Sequence, residues 1–224
     1  MAVVEPIFRP PKQKRSRETV ERILAAAETC ICERGFDALR IAEVAHDAGS
    51  AVGTVYSRFA DKMALLRAVQ KRLHDRIEPP FLADLALEKE RGGSLEEAVE
   101  RVFTSLCRHF LSERELFSAC MMQAVFDPFL KEQGEEASRV RREAVSAALL
   151  VHRDQMNQPD PTLAVDVAYD TCIAVVKARL IWGEPSHFAG EFSDEVLIHE
   201  LTRMVATYLL GHTGIRPYAG PRQA

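Results

Sequence analysis

Four residues in one short stretch carry side chains that can bind a nucleic acid. Thr54, Tyr56 and Ser57 have hydroxyl groups, and Arg58 has a guanidinium group. Such groups hydrogen-bond to phosphate oxygens or to the edges of bases. Arg58 is the best candidate for a guanine contact or a phosphate clamp. The sequence therefore predicts a nucleic-acid-binding element here, provided that one helix presents these side chains together.

Hydrophobic spacing predicts two short helices joined by a tight turn. In the first helix Ile41, Val44 and Ala45 share one face. Gly49 ends that helix, because glycine enters the left-handed conformation at little cost. The second helix repeats apolar residues at helical spacing: Val52, Val55, Tyr56 and Phe59. Asp61 is placed to cap a further helix, so the stretch reads as helix-turn-helix.

The same stretch resembles the DNA-binding half of the tetracycline-repressor (TetR) family. The resemblance runs without gaps from about Thr19 to Val69. The motifs that carry it are Glu33-Arg34-Gly35-Phe36, Ala48-Gly49, Gly53-Thr54-Val55-Tyr56-Ser57-Arg58-Phe59, and Lys62 with Leu65. The resemblance implies an all-α protein with an N-terminal three-helix DNA-binding domain and a C-terminal helical domain for ligand binding and dimerisation.

The DNA-binding set combines positions that the resemblance carries over with exposed neighbours. It comprises Arg40, Val52, Gly53, Thr54, Tyr56, Ser57, Arg58 and Lys62. Thr54 is expected to contact a phosphate or base edge, and the Tyr56 hydroxyl to contact a phosphate. Lys62 is expected to contact the DNA backbone. The alternatives are that Tyr56 packs its ring between helices and that Lys62 is simply solvated.

The sequence departs from the family pattern at two helix starts. Arg40 stands where the family usually has Thr or Ser, so Asp37 is a possible cap and Arg40 a possible phosphate ligand. Ala51-Val52 replaces a more polar pair, and Ser50 could cap one position early. Val52 lacks a hydrogen-bonding side chain, so it is expected to contact a thymine methyl group.

Length and composition predict two compact units that are all helical. The chain has 224 residues, and runs of β-branched residues bounded by turns are nearly absent. The predicted boundaries are a basic arm over 1–17, a helix-turn-helix domain over 18–62, a ligand-binding and dimerisation domain over 63–211, and a tail over 212–224. The arm can contact phosphates or a minor groove, or can merely aid solubility.

Charge is distributed unevenly along the chain. Residues 1–72 contain 13 Lys or Arg and 9 Asp or Glu, a net charge of +4, and the remainder has a net charge of −8. This separation fits a basic module that faces nucleic acid and an acidic body, although chance can also produce it.

Several classes of protein are disfavoured. No apolar run is long enough to span a membrane, and the start lacks the pattern of a secretory signal, so a cytoplasmic location is expected. The five scattered cysteines favour reduced thiols over a disulfide framework. No metal, nucleophile or phosphate-loop motif is present, so neither enzymatic activity, nor a cofactor, nor a metal is expected.

Pro, Gly and capping residues mark the predicted ends of the remaining helices. Pro79-Pro80 should end the helix that starts near Met63, with a further turn or two over Phe81 to Leu87. Ser94 to Glu97 forms a predicted capping box. The later helices are predicted from Ser94 to about Leu111, Glu113 to Phe126, Phe129 to about Gln155, Asp160-Pro161 to Trp182-Gly183, and Ser193 to about Leu210.

The last two long helices are apolar on more than one face, so each needs partners on two sides. The resemblance supplies the second partner, because the family dimerises by packing these helices against the same pair from a second chain. A homodimer is therefore expected.

A cluster of aromatic, methionine and polar residues is the candidate ligand-binding site. Its members are Phe103, His109, Phe110, Phe117, Met121, Phe126, His152, Met156 and Tyr169. Such residues can line an adaptable pocket or form ordinary core. The resemblance implies a pocket for a small, apolar or amphipathic inducer in this region.

The resulting hypothesis is a ligand-responsive transcriptional repressor that binds a palindromic double-stranded DNA operator as a homodimer and is released by an inducer. The alternatives are a small-molecule-binding helical protein and a DNA-coating protein without sequence preference or ligand control. A repressor requires one preferred site and a ligand-sensitive footprint, whereas a coating protein does not.

Overall fold

A computed structural model of the chain describes residues 14–182 and 192–211. These residues form helices and no extended strand, which confirms the predicted all-α class. The α-helices are α1 Lys14–Arg34, α2 Ile41–Asp47, α3 Val52–Tyr56, α4 Lys62–Arg91, α5 Leu95–Leu111, α6 Arg114–Ala124, α7 Pro128–Leu149, α8 Pro161–Trp182 and α9 Asp194–Leu210. Two short 3-10 helices cover Phe36–Ala38 and Leu150–Gln155.

The described residues divide into two compact units. The first comprises 14–76 and 114–134, so it holds α1 to α3, the first half of α4, α6 and the start of α7. The second comprises 77–113, 135–182 and 192–211. Outside the described residues lie residues 1–13 of the predicted arm, the predicted stop at Gly183 and the predicted tail over 212–224. Residues 14–17 of the arm are helical, since α1 begins at Lys14.

Several helices begin or end at the capping residues and glycines that the sequence predicts. Ser94 accepts a hydrogen bond from the Glu97 main-chain N–H, and the Glu97 carboxylate accepts one from the Ser94 N–H, which completes the predicted capping box. Asp160 caps α8 through the Leu163 N–H at 3.0 Å. Gly211 ends α9 in the left-handed conformation, with φ of 71°.

The prediction that Pro79-Pro80 ends a helix is wrong. α4 continues through both prolines to Arg91. Each proline removes one main-chain donor, but the residues that follow are anchored by packing: Phe81 and Leu85 are buried, and the Phe81 ring lies 4.5 Å from the His109 ring on α5. Tertiary packing thus outweighs the local cost of the proline pair.

The prediction of one α-helix from Phe129 to about Gln155 is wrong beyond Leu149. The chain tightens there into the 3-10 helix, and His152 has φ of −100° and ψ of 18°. His152 is buried, and the Gln155 side-chain oxygen accepts a 2.7 Å hydrogen bond from the Leu95 N–H at the start of α5. These contacts with the rest of the unit fix a turn that helix periodicity could not predict.

The cysteines occupy two kinds of environment. Cys32 on α1 is exposed, whereas Cys30, Cys107, Cys120 and Cys172 are buried. The sulfur atoms of Cys107 on α5 and Cys172 on α8 lie 3.5 Å apart without a covalent bond. Burial raises the pKa of Cys120 to about 12, so this thiol stays protonated at neutral pH.

Candidate nucleic-acid interface

The turn between α2 and α3 has the geometry of a Schellman motif. Gly49 adopts φ of 59°, the Ser50 N–H donates to the Ala45 carbonyl at 2.8 Å, and the Gly49 N–H donates to the His46 carbonyl at 2.9 Å. The motif satisfies the last carbonyls of α2 and turns the chain sharply toward α3. The glycine predicted to end this helix therefore fixes the direction in which α3 begins.

α3 is held in place by two side chains. Val55 and Phe59 are completely buried, and the Phe59 N–H donates to the Val55 carbonyl at 2.8 Å. They share the core of the first unit with Val44 and Ala45 of α2, which are also completely buried. A helix of five residues is too short to be stable alone, so this packing positions it.

The other side of α3 faces solvent. Val52 is 41 % exposed and Tyr56 is 54 % exposed. Gly53 and Ser57 are also exposed, while Thr54 is half-buried. The Ser57 hydroxyl donates to the Thr54 carbonyl at 2.8 Å, which leaves its oxygen able to accept a further hydrogen bond. The structure thus brings five of the eight predicted DNA-binding residues together on one small helix and its last turn.

Arg58 is placed differently from the other predicted residues of this stretch. It is half-buried, and its guanidinium group donates a hydrogen bond to the Ser16 hydroxyl in the first turn of α1. This contact links the end of α3 to the beginning of α1. Sequence reasoning missed it, because Ser16 and Arg58 are far apart in the sequence and nothing local pairs them.

Arg40 and Lys62 flank α3 on either side in the sequence. Arg40 occupies the N-cap position of α2 without a side-chain capping bond, and its guanidinium donates to the Asp37 carbonyl at 2.7 Å. The Lys62 ammonium lies 4.6 Å from the centre of the Phe36 ring, a cation–π contact. Asp61 caps α4 as predicted, through the Ala64 N–H at 2.7 Å.

The start of α3 has no polar cap. Ala51 stands at its N-cap position with φ of −74° and ψ of 144°, and alanine has no side-chain acceptor. Ser50, the predicted early cap, lies one residue outside and donates its own N–H back to α2. The exposed end of α3 is thus formed by small and apolar residues.

An ion pair ties the first half of α4 to the start of α7 within the first unit. The Arg67 Nε atom lies 3.1 Å and 3.2 Å from the two carboxylate oxygens of Asp127. Asp127 also caps α7 through the Leu130 N–H at 3.0 Å, and the Gln70 amide donates to the Leu130 carbonyl at 3.1 Å. The sequence predicted a helix from Phe129, but no local pattern indicated that Asp127 pairs with α4.

The pKa of Asp127 is lowered by this arrangement. Burial alone acts to raise the pKa, because it disfavours the charged carboxylate. The hydrogen bond from Arg67, the Leu130 N–H and the Arg67 charge act in the opposite direction and outweigh burial. The ion pair is therefore fully charged at neutral pH.

The predicted ligand-binding residues are distributed over both units. Phe117, Met121 and Phe126 belong to the first unit, and Phe126, which follows the end of α6, is 82 % exposed. The other six belong to the second unit, where all are buried: Phe103, His109, Phe110, His152, Met156 and Tyr169. The His109 ring lies 3.3 Å from the Glu78 carboxylate, and the Tyr169 hydroxyl donates to the Ser138 carbonyl at 3.1 Å.

The second unit contains a cavity of about 510 Å³ between α5 and α9. Its lining is mixed in charge and includes Glu100, Arg108, Glu195 and Arg203. None of the nine predicted ligand-binding residues lines it. The ligand site therefore remains a prediction.

Comparison with known proteins agrees with this geometry. Residues 23–69 match the sequence model of the family described as bacterial regulatory proteins, tetR family. That segment contains α2, the Schellman turn and α3 in full. No curated protein sequence matches the chain.

Solved structures share the fold over nearly the whole chain. A putative TetR-family transcriptional regulator from Mesorhizobium loti is 19 % identical, with a TM-score of 0.71, over 88 % of this chain and 98 % of that one. A transcriptional regulator from Rhodococcus sp. Rha1 is 23 % identical, with a TM-score of 0.64, over 88 % and 99 %. The fatty acid degradation regulator FadR from Bacillus halodurans is 16 % identical, with a TM-score of 0.60, over 93 % and 100 %.

The matched segment and the exposed α3 have the form of a helix-turn-helix DNA-binding element. Residues 23–69 are similar to the tetR family of bacterial regulatory proteins, in the stretch where the motifs between Thr19 and Val69 predicted the resemblance. Among the described residues, no helix is both long enough and apolar enough to cross a membrane. Over the same ranges, no three His, Cys, Asp or Glu side chains are grouped to hold a metal ion.

Proposed function

We propose that the protein is a ligand-responsive transcriptional repressor that binds a palindromic operator as a homodimer and is released by a small inducer. The observation that carries the proposal is the exposed side of α3, which presents Tyr56, Thr54 and Ser57 while Val55 and Phe59 hold the helix from behind. A rigid helix with outward hydroxyl groups suits the major groove and its flanking phosphates.

A homodimer is supported by apolar side chains left uncovered on the last two helices. The exposed ones are Leu163, Val167, Ile181 and Trp182 on α8 and its end, with Val196 and Met204 on α9. A hollow of about 570 Å³ on α9 is lined mainly by apolar residues, among them Leu201 and Tyr208. Side chains of this kind favour burial against a second copy, and a two-fold dimer would present two α3 helices to the two half-sites of a palindrome.

An inducer is supported by the composition of the second unit. Phe103, Phe110 and Met156 are buried in this unit, and so are the polar side chains of His109 and Tyr169. Together they suit a small apolar or amphipathic molecule. The chain's similarity to a fatty acid degradation regulator is one of fold alone, so it does not name the ligand.

The proposed mechanism is competition between DNA and ligand for two states of the dimer. The DNA-bound state sets the spacing of the two α3 helices to fit successive major grooves, and the ligand-bound state sets a different spacing. To shift the population from 1:99 to 99:1, the ligand must favour its state by about 5.5 kcal/mol. A dimer that occupies a promoter blocks transcription by default, so release by ligand gives induction. We expect this activity in the cytoplasm.

The test is DNA affinity measured against salt for Tyr56→Phe, Tyr56→Ala and Lys62→Ala. The duplex is first selected by footprinting on DNA that flanks the gene. Tyr56→Phe removes only the hydroxyl group and should weaken binding about tenfold, since a hydrogen bond to a charged phosphate is lost. Lys62→Ala should reduce the magnitude of the slope of log affinity against log salt concentration by about one, because one phosphate contact is lost.

Arg153→Ala is the matched control, because it removes an exposed cation from the 3-10 helix of the second unit. Its affinity and slope should equal those of the unsubstituted protein. Unchanged binding in the Tyr56 and Lys62 variants would refute the proposal. Binding that shows no preference among duplexes would favour a DNA-coating protein instead, and no binding at all would favour a protein that binds only small molecules.

A further inference from the structure

The segment Ala51-Val52-Gly53 gives the exposed side of α3 an apolar surface with no side-chain donor or acceptor. Val52 is 41 % exposed, and Ala51 and Gly53 are exposed beside it. The polar groups of α3 lie further along, from Thr54 to Ser57. A contact made by this segment must therefore be apolar or must use main-chain atoms.

Within the part of the chain that the structure describes, Gly53 has no structural reason to be glycine. It lies inside α3 without a left-handed φ, and a Cβ atom added to it would meet nothing within 4 Å. Glycine disfavours a helix by about 1 kcal/mol relative to alanine, and α3 has only five residues. A bare main chain at a position with open space indicates that something outside the chain approaches it closely.

Two arginines that flank α3 in the sequence hydrogen-bond to other parts of the chain. Arg58 donates to the Ser16 hydroxyl on α1, and Arg40 donates to the carbonyls of Asp37 and Leu39. The segment Ala51-Val52-Gly53 itself carries no charged side chain. In the major groove the apolar group that a base presents is the C5-methyl group of thymine.

We propose that Val52 is a specificity-determining residue that selects thymine by packing its methyl groups against the thymine C5-methyl, and that Gly53 lets α3 approach the base closely enough for this contact. The inference rests on the proposed DNA-binding function and adds to it the chemistry of one base in each half-site. It predicts specificity from shape and burial at a position that offers no hydrogen bond.

The test replaces each thymine of the footprinted duplex in turn with deoxyuridine. This change removes the methyl group and keeps base pairing. At one position in each half-site, affinity should fall about fourfold, the effect of losing one buried methyl group. Val52→Ala should lower affinity for the thymine duplex and should abolish the difference between thymine and deoxyuridine at that position only.

Two further variants separate specificity from folding. Val125→Ala is the matched control, since Val125 is an exposed valine of the same unit that lies outside α3; it should bind both duplexes as the parent does. Gly53→Ala should raise the thermal midpoint by about 2–4 °C, because alanine favours the helix, and should weaken DNA binding at least tenfold.

The outcomes are distinguishable. A specific footprint that is insensitive to every deoxyuridine, or a Val52→Ala protein that keeps the full thymine preference, overturns this inference and leaves the regulator proposal standing. Gly53→Ala binding as tightly as the parent overturns the role given to Gly53. Failure of the parent protein to prefer any duplex overturns the inference together with the function on which it rests.

Discussion

Helix α3 exposes most of its residues, whereas helix α5 is built around burial. α3 has five residues, no side-chain cap and one buried residue, Val55. α5 has seventeen residues, a complete capping box and nine buried residues. The difference shows that α5 is specified by the chain itself, while no contact among the described residues explains the exposed residues of α3. The sequence of α3 is better explained by an external partner.

The largest expected effect on stability comes from truncating a buried side chain of α5. Phe103 is completely buried, so Phe103→Ala should lower the free energy of unfolding by about 3–5 kcal/mol through lost contacts and a residual cavity. Urea unfolding measures this. Val125→Ala removes an exposed side chain and should change stability by less than about 0.5 kcal/mol. Equal effects of the two substitutions would contradict the packing described for α5.

The stability of the protein should depend on pH through the ionisation of Asp127. Asp127→Asn should cost about 1.5–3 kcal/mol at neutral pH, because the charged hydrogen bonds to Arg67 are weakened. The folded-state pKa of Asp127 is below its usual 3.8, so its contribution is present above that pH and is lost as pH falls toward the lowered value.

Unfolding measured from pH 6 to pH 3 should therefore show a smaller loss of stability for Asp127→Asn than for the parent. Parallel curves for the two proteins would show that the Arg67 pair does not contribute. Asparagine keeps an oxygen able to cap α7, so the comparison isolates the charge.

Removing the cap of α5 should have an intermediate effect. Ser94→Ala deletes the acceptor for the Glu97 N–H and should cost about 1 kcal/mol in thermal or urea unfolding. Ser94→Thr keeps a hydroxyl group and should lie close to the parent. A Ser94→Ala protein as stable as the parent would mean that α5 is held by packing alone.

The smallest expected effect is a gain in stability when a capping side chain is added to α3, which has none. Ala51→Ser supplies an acceptor at the N-cap position and should add about 0.5–1 kcal/mol to stability. Ala51→Val has no acceptor and should give no gain. If serine stabilises the protein and weakens DNA binding, the absent cap is a feature retained for the partner; if serine leaves both unchanged, the contrast between α3 and α5 is weaker than described.

Helix start and stop signals in the local sequence predicted much of the fold. Gly49, the Ser94 capping box, Asp160 and Gly211 each end or begin a helix where expected, because the responsible groups are neighbours in sequence. The errors occurred where distant packing overrides local preference. α4 runs through Pro79-Pro80, and α7 gives way to a 3-10 helix that is fixed by contacts with other helices.

The same division applies to the candidate site. The helical period grouped Val52 and Tyr56 with Val55 and Phe59 on one packing face. That prediction is wrong for Val52 and Tyr56, which are exposed, whereas Val55 and Phe59 are completely buried. The pairing of Arg58 with Ser16, and the position of Lys62 over the Phe36 ring, depend on how α1 and the neighbouring helices meet. No spacing rule contains that information. The apolar start of α3 was visible in the sequence, but the open space beside Gly53 required coordinates.

The unequal burial of the thiols provides a chemical handle. Cys32 on α1 is the one exposed cysteine of the five in the chain, so a maleimide dye under native conditions should attach at this single position. Denaturation should bring the count of labelled sites to five. A fluorophore on α1 would sit in the same compact unit as α3, where the arrival of a DNA duplex changes the surroundings of the dye.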